Sequence, residues 1–106
     1  MLGEGAIMTT TKKDLASRAR EATGCKWDLA AEVVASLFAA MTESLIEGNR
    51  IEIRGFGVLE VRDTKAKPKA RNPRTGEIVY IPARRKTHFR AGKLLREELH
   101  KPLEET

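Results

Sequence analysis

Lys65, Lys67, Lys69 and Arg71 recur at every second position within the stretch Arg62–Tyr80, RDTKAKPKARNPRTGEIVY. Four cations in such a row can do one kind of chemistry well, which is to neutralise a row of anions. The period of two is that of a β-strand, and an extended chain puts all four on one face, with Thr64, Ala66, Pro68 and Ala70 on the other. That second face has almost nothing to bury, so the segment is not a core strand. A further cluster, Arg84, Arg85 and Lys86, follows closely. Between Arg62 and Lys86 nine Lys or Arg face only two acids, Asp63 and Glu77, a balance of +7 in a chain whose net charge is +5. The remainder is therefore slightly acidic, at −2, and the basic character belongs to one surface. This is the electrostatic footprint of a nucleic-acid binder.

The elements that position these cations follow from turn chemistry. Asn72-Pro73-Arg74-Thr75-Gly76 reads as a turn, with Asn bonding its own backbone, Pro presetting φ and Gly tolerating positive φ. Glu77–Ala83 then returns antiparallel, making a two-stranded ribbon over about residues 62–83. Pro68 and Pro82 lack an N–H and belong on sheet edges, and both strands of a ribbon are edges. A limb of about ten residues reaches ~33 Å, against a radius of gyration of ~13 Å for a 100-residue domain, so the ribbon is expected to protrude.

Removing the ribbon and the irregular start leaves roughly 70 of 106 residues for a core, which is marginal. Cys25 is the only cysteine, so no disulfide framework helps, and association of chains is the remaining device. Residues 1–10 have no usable period and are expected to be a flexible tail, as are residues 102–106; a single domain is expected over 11–101. Thr11 is placed to cap a helix over Lys12–Thr23, with Asp14 in its first turn and Gly24 as its stop. A longer helix is expected from about Lys26 or Asp28 to Glu47. Val33, Val34, Leu37, Phe38, Met41, Leu45 and Ile46 make it apolar on more than one side, so it asks for cover both from its own chain and from a second copy. Arg50–Arg54 alternates as a half-buried strand, Gly55-Phe56-Gly57 reverses the chain, and Val58–Val61 runs back into the ribbon. Thr87–His100 reads as a helix, carrying Phe89, Leu94, Leu95 and Leu99 inward and Arg90, Lys93 and Arg96 outward.

These residues resemble a known family. Gly55-Phe56-Gly57, the arm motif Ala70-Arg71-Asn72-Pro73-Arg74-Thr75-Gly76-Glu77, Ile81-Pro82-Ala83 and Phe89-Arg90-Ala91-Gly92-Lys93-Leu94-Leu95 are similar in order and spacing to the HU and integration host factor family of bacterial DNA-bending proteins. The resemblance runs from about Lys12 to Leu99. It implies an α+β fold: an intertwined dimer with a helical base, an antiparallel sheet and two β-ribbon arms that wrap DNA through the minor groove, Pro73 at each tip wedging between base pairs. Two departures stand out. The segment from Val61 to Arg71 is one residue longer than the family pattern, which calls for a bulge near Thr64–Lys69, and Ala70 stands where many relatives have Gly.

The expected partners are double-stranded DNA and a second copy of the chain or a close paralogue. The expected DNA contacts are Arg62, Lys65, Lys67, Lys69, Arg71, Asn72, Pro73, Arg74, Arg84, Arg85, Lys86 and Lys93, with Pro73 the intercalating residue. Phe56, Leu59 and Phe89 read as packing residues and Trp27 as a partly buried anchor. Cys25, His88 and His100 form neither a ligand spacing nor a nucleophile–base pair, so no cofactor, metal, small-molecule substrate or enzymatic activity is expected. An RNA-binding role lacks exposed aromatics for stacking, aromatics being 5% of the chain. A membrane role is not expected, because no uninterrupted run of 18 apolar residues exists and the bases lie on a strand. The start of the chain lacks the basic segment and apolar core of a signal peptide, so the expected location is the cytoplasm, on the nucleoid. Two functions remain: an architectural binder of low sequence selectivity that bends and compacts DNA, or a site-specific bending cofactor reading groove shape.

Overall fold

The structure, a computed structural model, describes residues 7–103; the outer parts of both expected tails, residues 1–6 and 104–106, lie outside the described residues. Residues 7–10 and 102–103 have no regular structure. The chain divides into two compact units, one ending at Thr42 and the other beginning at Glu43.

In the first unit, α1 spans Lys12–Thr23 as the capping pattern predicts. The Thr11 hydroxyl accepts from the Asp14 amide, and the Asp14 carboxylate accepts from the Thr11 N–H at 2.9 Å, a reciprocal capping box. Gly24 closes the helix at φ 75°, its N–H donating to the Arg20 carbonyl. Helix α2 spans Trp27–Ile46, within a residue or two of the expected bounds. Among the described residues Ala16 of α1 and Ala30 of α2 are the two buried apolar side chains, and around them Trp27, Ala31, Val34 and Ala35 share a shallow groove with Lys12 and Lys13. Small residues at this contact let the two helices approach.

One stripe of α2, Ala30, Ala31, Val34, Phe38, Met41 and Leu45, is buried or half-buried. A second stripe at helical spacing, Leu29, Val33 and Leu37, is 52–55% exposed, and Ile46 at the helix end is 62% exposed. The doubly apolar helix read from the sequence is thus present, one stripe buried or half-buried in the single chain and the second lying open. By length and composition α2 is also long and apolar enough to cross a membrane, with a mean hydropathy of 1.6. The missing 18-residue apolar run does not remove it from that class. Asp28, Glu32 and Glu43 interrupt it, and its exposed stripe is the kind of surface a partner helix covers.

In the second unit, β1 (Ile51–Ile53), β2 (Gly57–Asp63) and β5 (Arg85–Ala91) form an antiparallel sheet in the order β1-β2-β5. Strands β3 (Lys67–Arg71) and β4 (Ile78–Ile81) form a separate two-stranded ladder. Helix α3, Lys93–Leu99, closes the fold. The expected helix over Thr87–His100 is corrected here, because residues through Ala91 are strand. Phe89 belongs to β5, where it lies opposite Leu59 of β2 in a seven-pair register running from Gly57↔Ala91 to Asp63↔Arg85. The alternation Thr87, Phe89, Ala91 supplies one face of that strand. At Gly92 the chain turns, where a side chain would crowd the Phe56 backbone at 3.2 Å. Phe56 and Phe89 pack on each other, ring centroids 5.1 Å apart, and both remain partly exposed in the single chain.

Candidate nucleic-acid interface

Pair partners across an antiparallel ladder share a face, so the register sorts the basic residues. Leu59, Val61, Phe89 and Thr87 lie on the apolar face of the three-stranded sheet. Val58, Arg90, Glu60, His88, Arg62 and Lys86 lie on the other. On that polar face Glu60 accepts from Arg62 at 3.1 Å and lies 3.8 Å from Arg50. The hydrogen bond from Arg62, aided by the charges of Arg62, Arg90 and Arg50, holds the Glu60 carboxyl below its usual range. Arg50 and Arg90 therefore belong to the same cationic surface as Arg62 and Lys86. Neither is among the DNA contacts expected from the sequence; the signal for Arg50 is its place in the alternating run Arg50–Arg54, and that for Arg90 is hidden by the helical spacing of Thr87–His100.

Beyond the last rung, Asp63↔Arg85, the strands are joined by a knuckle. The Thr64 N–H donates to the Arg84 carbonyl at 2.7 Å, the Thr64 hydroxyl donates to the same oxygen at 3.0 Å and the Arg84 N–H lies 3.1 Å from that hydroxyl. The ribbon proper starts after it, so the expected arm over 62–83 has its first two residues inside the sheet. Strands β3 and β4 contact each other extensively and no third element to a comparable degree.

The extra residue counted in the sequence appears as a bulge between Lys67 and Ala70. Lys67 pairs with Ile81, whereas Ala70 pairs with Val79 and Arg71 with Ile78. Because one inserted residue reverses the alternation, Lys67 shares a face with Ala70, Val79 and Ile81, and Lys69 and Arg71 share the other with Ile78 and Tyr80. The expectation of four cations on one face is corrected: the bulge divides them, and Lys65 lies in the connection before β3.

At the tip, the Asn72 side-chain oxygen accepts from the Arg74 N–H at 2.8 Å, and the Gly76 N–H donates to the Asn72 carbonyl at 2.7 Å with Gly76 at φ 77°. Arg71 donates from Nη1 to the Gly76 carbonyl at 2.8 Å. Asn72 and Arg71 thus brace the turn, while Pro73 and Arg74 are carried exposed at its end. Lys93 opens α3 and is not brought near the arm's ladder by any strand pairing. Arg85 is engaged elsewhere: its Nη1 donates to the Ile46 carbonyl at 2.8 Å. Among the described residues no group of three or more His, Cys, Asp or Glu is placed to hold a metal.

Residues 10–100 match the model of the family described as bacterial DNA-binding protein. The chain belongs to this family, that of HU and integration host factor. It is a family of DNA-architectural proteins that form dimers, not a family of enzymes. Integration host factor subunit alpha from Hydrogenovibrio crunogenus is 39% identical over 92 residues, covering 87% of this chain and 94% of that protein. The same subunit from Glaesserella parasuis is 40% identical over 92 residues, with coverage of 87% and 93%. Among solved structures, a cocrystal of Anabaena HU with DNA superposes with a TM-score of 0.78 at 34% identity, covering 87% of this chain and 99% of that one. An HU variant from Thermotoga maritima superposes with a TM-score of 0.60 at 27% identity, with coverage of 84% and 97%. The HU-like α+β fold expected from the sequence is borne out.

Proposed function

We propose that this protein is an architectural DNA-binding protein that works as a dimer, grips duplex DNA through the minor groove with its β3–β4 arms, and bends and compacts it with little sequence selectivity on the nucleoid. The observation that carries this reading is the arm itself, a ribbon with cations on both faces, no extensive contact with a third element, and an exposed proline at its tip. A surface so charged and so little packed has its stabilising partner outside the chain, and a polyanion fits it. Lys65, Lys67, Lys69, Arg74, Arg84 and Lys86 are assigned to phosphates, with Arg62 available when it leaves Glu60. Arg71 and Asn72 hold the tip, and Pro73 is the wedge that opens a base step.

The exposed Leu29, Val33 and Leu37 stripe supports the dimer, because among the described residues no apolar side chain larger than Ala is fully buried in one chain. A second copy or a close paralogue would cover it. Light scattering should give twice the chain mass of 11.8 kDa; a stably folded monomer at micromolar concentration contradicts the two-armed reading.

A second reading, a site-specific bending cofactor, is favoured by one finding, the likeness to integration host factor alpha subunits at 38–40% identity. Competition decides between them. With a labelled duplex as probe, unlabelled random DNA should displace the protein as well as any selected sequence does. A selected site that resists a large excess of random DNA would establish the cofactor reading instead.

A further inference from the structure

Helix α2 ends with four carbonyls that have no partner inside the helix, those of Glu43, Ser44, Leu45 and Ile46. Three are met locally: the Glu47 N–H donates to Glu43 at 3.1 Å, the Asn49 N–H to Ser44 at 3.0 Å and the Gly48 N–H to Leu45 at 2.9 Å. The fourth, Ile46, accepts instead from the guanidinium of Arg85, 39 residues downstream. Nothing in the helix's own last turn does this work, since that turn has no basic residue and carries Glu43, with Glu47 following. A cation at this end meets both an orphan carbonyl and the negative end of the helix dipole.

The register explains why Arg85 and not its neighbours reaches the helix. Arg85 pairs with Asp63 on the face of Val61, Leu59 and Phe89, whereas Lys86 pairs with Arg62 on the opposite, polar face. The run Arg84-Arg85-Lys86 is therefore not one patch. Arg85 also occupies the last rung of the sheet, immediately before the Thr64–Arg84 knuckle from which the ribbon departs.

We propose that Arg85 is a positioning residue for DNA bending: by capping α2 through Ile46 it holds the root of the β3–β4 arm to the helix end and sets the direction in which the arm leaves, and it makes no phosphate contact of its own. This rests on the reading that the arms grip duplex DNA. The capping bond is charge-assisted, and its loss lets the last rung and the knuckle move, so bending suffers although no counterion-releasing contact has gone.

The test uses the full chain with Arg85→Ala, Arg85→Gln and Lys86→Ala, each checked for dimer mass by light scattering. Two quantities are read on a linear duplex: the slope of log affinity against log salt, and energy transfer between dyes on the DNA ends at saturating protein. Lys86→Ala should flatten the slope by about 0.9 and keep the end-to-end transfer. Arg85→Ala should leave the slope unchanged, weaken linear-duplex binding by at most about tenfold, the ceiling set by one charge-assisted bond, and lower the transfer at saturation. Arg85→Gln removes the charge but keeps an N–H donor for Ile46, so it should hold the parent slope and most of the parent transfer; it decides the matter even if the Ala variant does not fold. A slope flattened by about 0.9 in Arg85→Gln, with transfer intact, would make Arg85 a phosphate contact and overturn the proposal while leaving the functional reading in place. No binding of duplex by the parent would overturn both.

Discussion

The β2–β5 ladder and the β3–β4 ladder are built from the same run of chain, folded back on itself, yet they are specified in different ways. Below the knuckle, seven pairs run in unbroken register, and Leu59, Val61 and Phe89 line one face. A slip of one residue there would move that whole set to the wrong side, so the apolar pattern fixes the pairing. Above the knuckle the ladder is shorter, is shifted by a bulge between Lys67 and Ala70, and leaves Ile78 and Tyr80 60% and 64% exposed. Its register rests on the braced tip and the knuckle, not on burial. A two-stranded ribbon of this kind is marginal in water, so the arm is the part of the chain expected to gain most order from a partner.

The largest expected contrast is in salt. If the arms and the polar face together neutralise six or more phosphates, affinity for duplex should fall by about a thousandfold or more between 50 and 200 mM salt. Substitutions at Lys67 or Lys69 should each flatten the slope by about 0.9, and substitutions at Leu59 or Phe89 should not. A shallow slope in the parent breaks the comparison, because the arm would then not be the ionic element.

Amide exchange sharpens the same contrast. Amides of β3 and β4 should exchange about a thousandfold faster than those of β2 and β5 in free protein, since the ribbon opens at little cost while core strands open near the global free energy, typically 5 kcal/mol or more. Equal protection in both ladders would mean that the arm is docked on another surface.

Two glycines separate the ladders energetically. A Cβ on Gly57 would meet the Arg90 carbonyl oxygen at 2.5 Å and the Phe89 ring at 2.7 Å, so Gly57→Ala should destabilise the fold by about 1–3 kcal/mol. At Gly76 there is open space but φ is +77°, so Gly76→Ala should strain only the tip, by about 1 kcal/mol, and leave the main unfolding transition in place. Thermal denaturation of both variants checks this.

The smallest effect is on acid stability. Hydrogen bonds from the Thr11 backbone and hydroxyl lower the Asp14 pKa from its ordinary 3.8, and the bond from Arg62 lowers that of Glu60 from 4.5. A carboxyl with a depressed folded-state pKa contributes stability above its unfolded value and loses it as pH falls through the folded one. Melting temperature should therefore decline slightly as pH falls below about 4.5, and Asp14→Asn should remove the α1 share of that decline. Both groups are on the helix and sheet side of the knuckle, so the arm's exchange rates should not follow this titration.

Much of this was legible in the sequence because it was local. Thr11, Asp14 and Gly24 carry the bounds of α1 in their own chemistry, and Asn72 through Gly76 carry the tip. The bulge was legible from a count against the family pattern, which calls for it near Thr64–Lys69; its seat between Lys67 and Ala70 is what decides that Lys67 and Lys69 take opposite faces. Phe89, Leu94, Leu95 and Leu99 fit a helical spacing, which hides the strand; the competing signal, pairing with β2, is 30 residues away for Phe89 and Leu59. Arg84, Arg85 and Lys86 read as one cluster by adjacency alone, and only a strand assignment reveals that three consecutive residues cannot point one way. Its hydrogen bond to Ile46 is a long-range fact that no local pattern encodes.

The central claim, that the arm bends DNA and does not merely hold it, is tested most directly at Pro73, the exposed ring at the tip. Energy transfer between dyes on the ends of a short duplex should rise when the parent binds. Pro73→Ala should lose much of that rise on intact linear DNA while binding nicked or pre-bent duplex nearly as well as the parent, because the ring's favourable place is the gap between unstacked base pairs and phosphates cannot reward it. If Pro73→Ala brings the ends of intact duplex as close as the parent does, Pro73 only forms the turn and the wedge is contradicted.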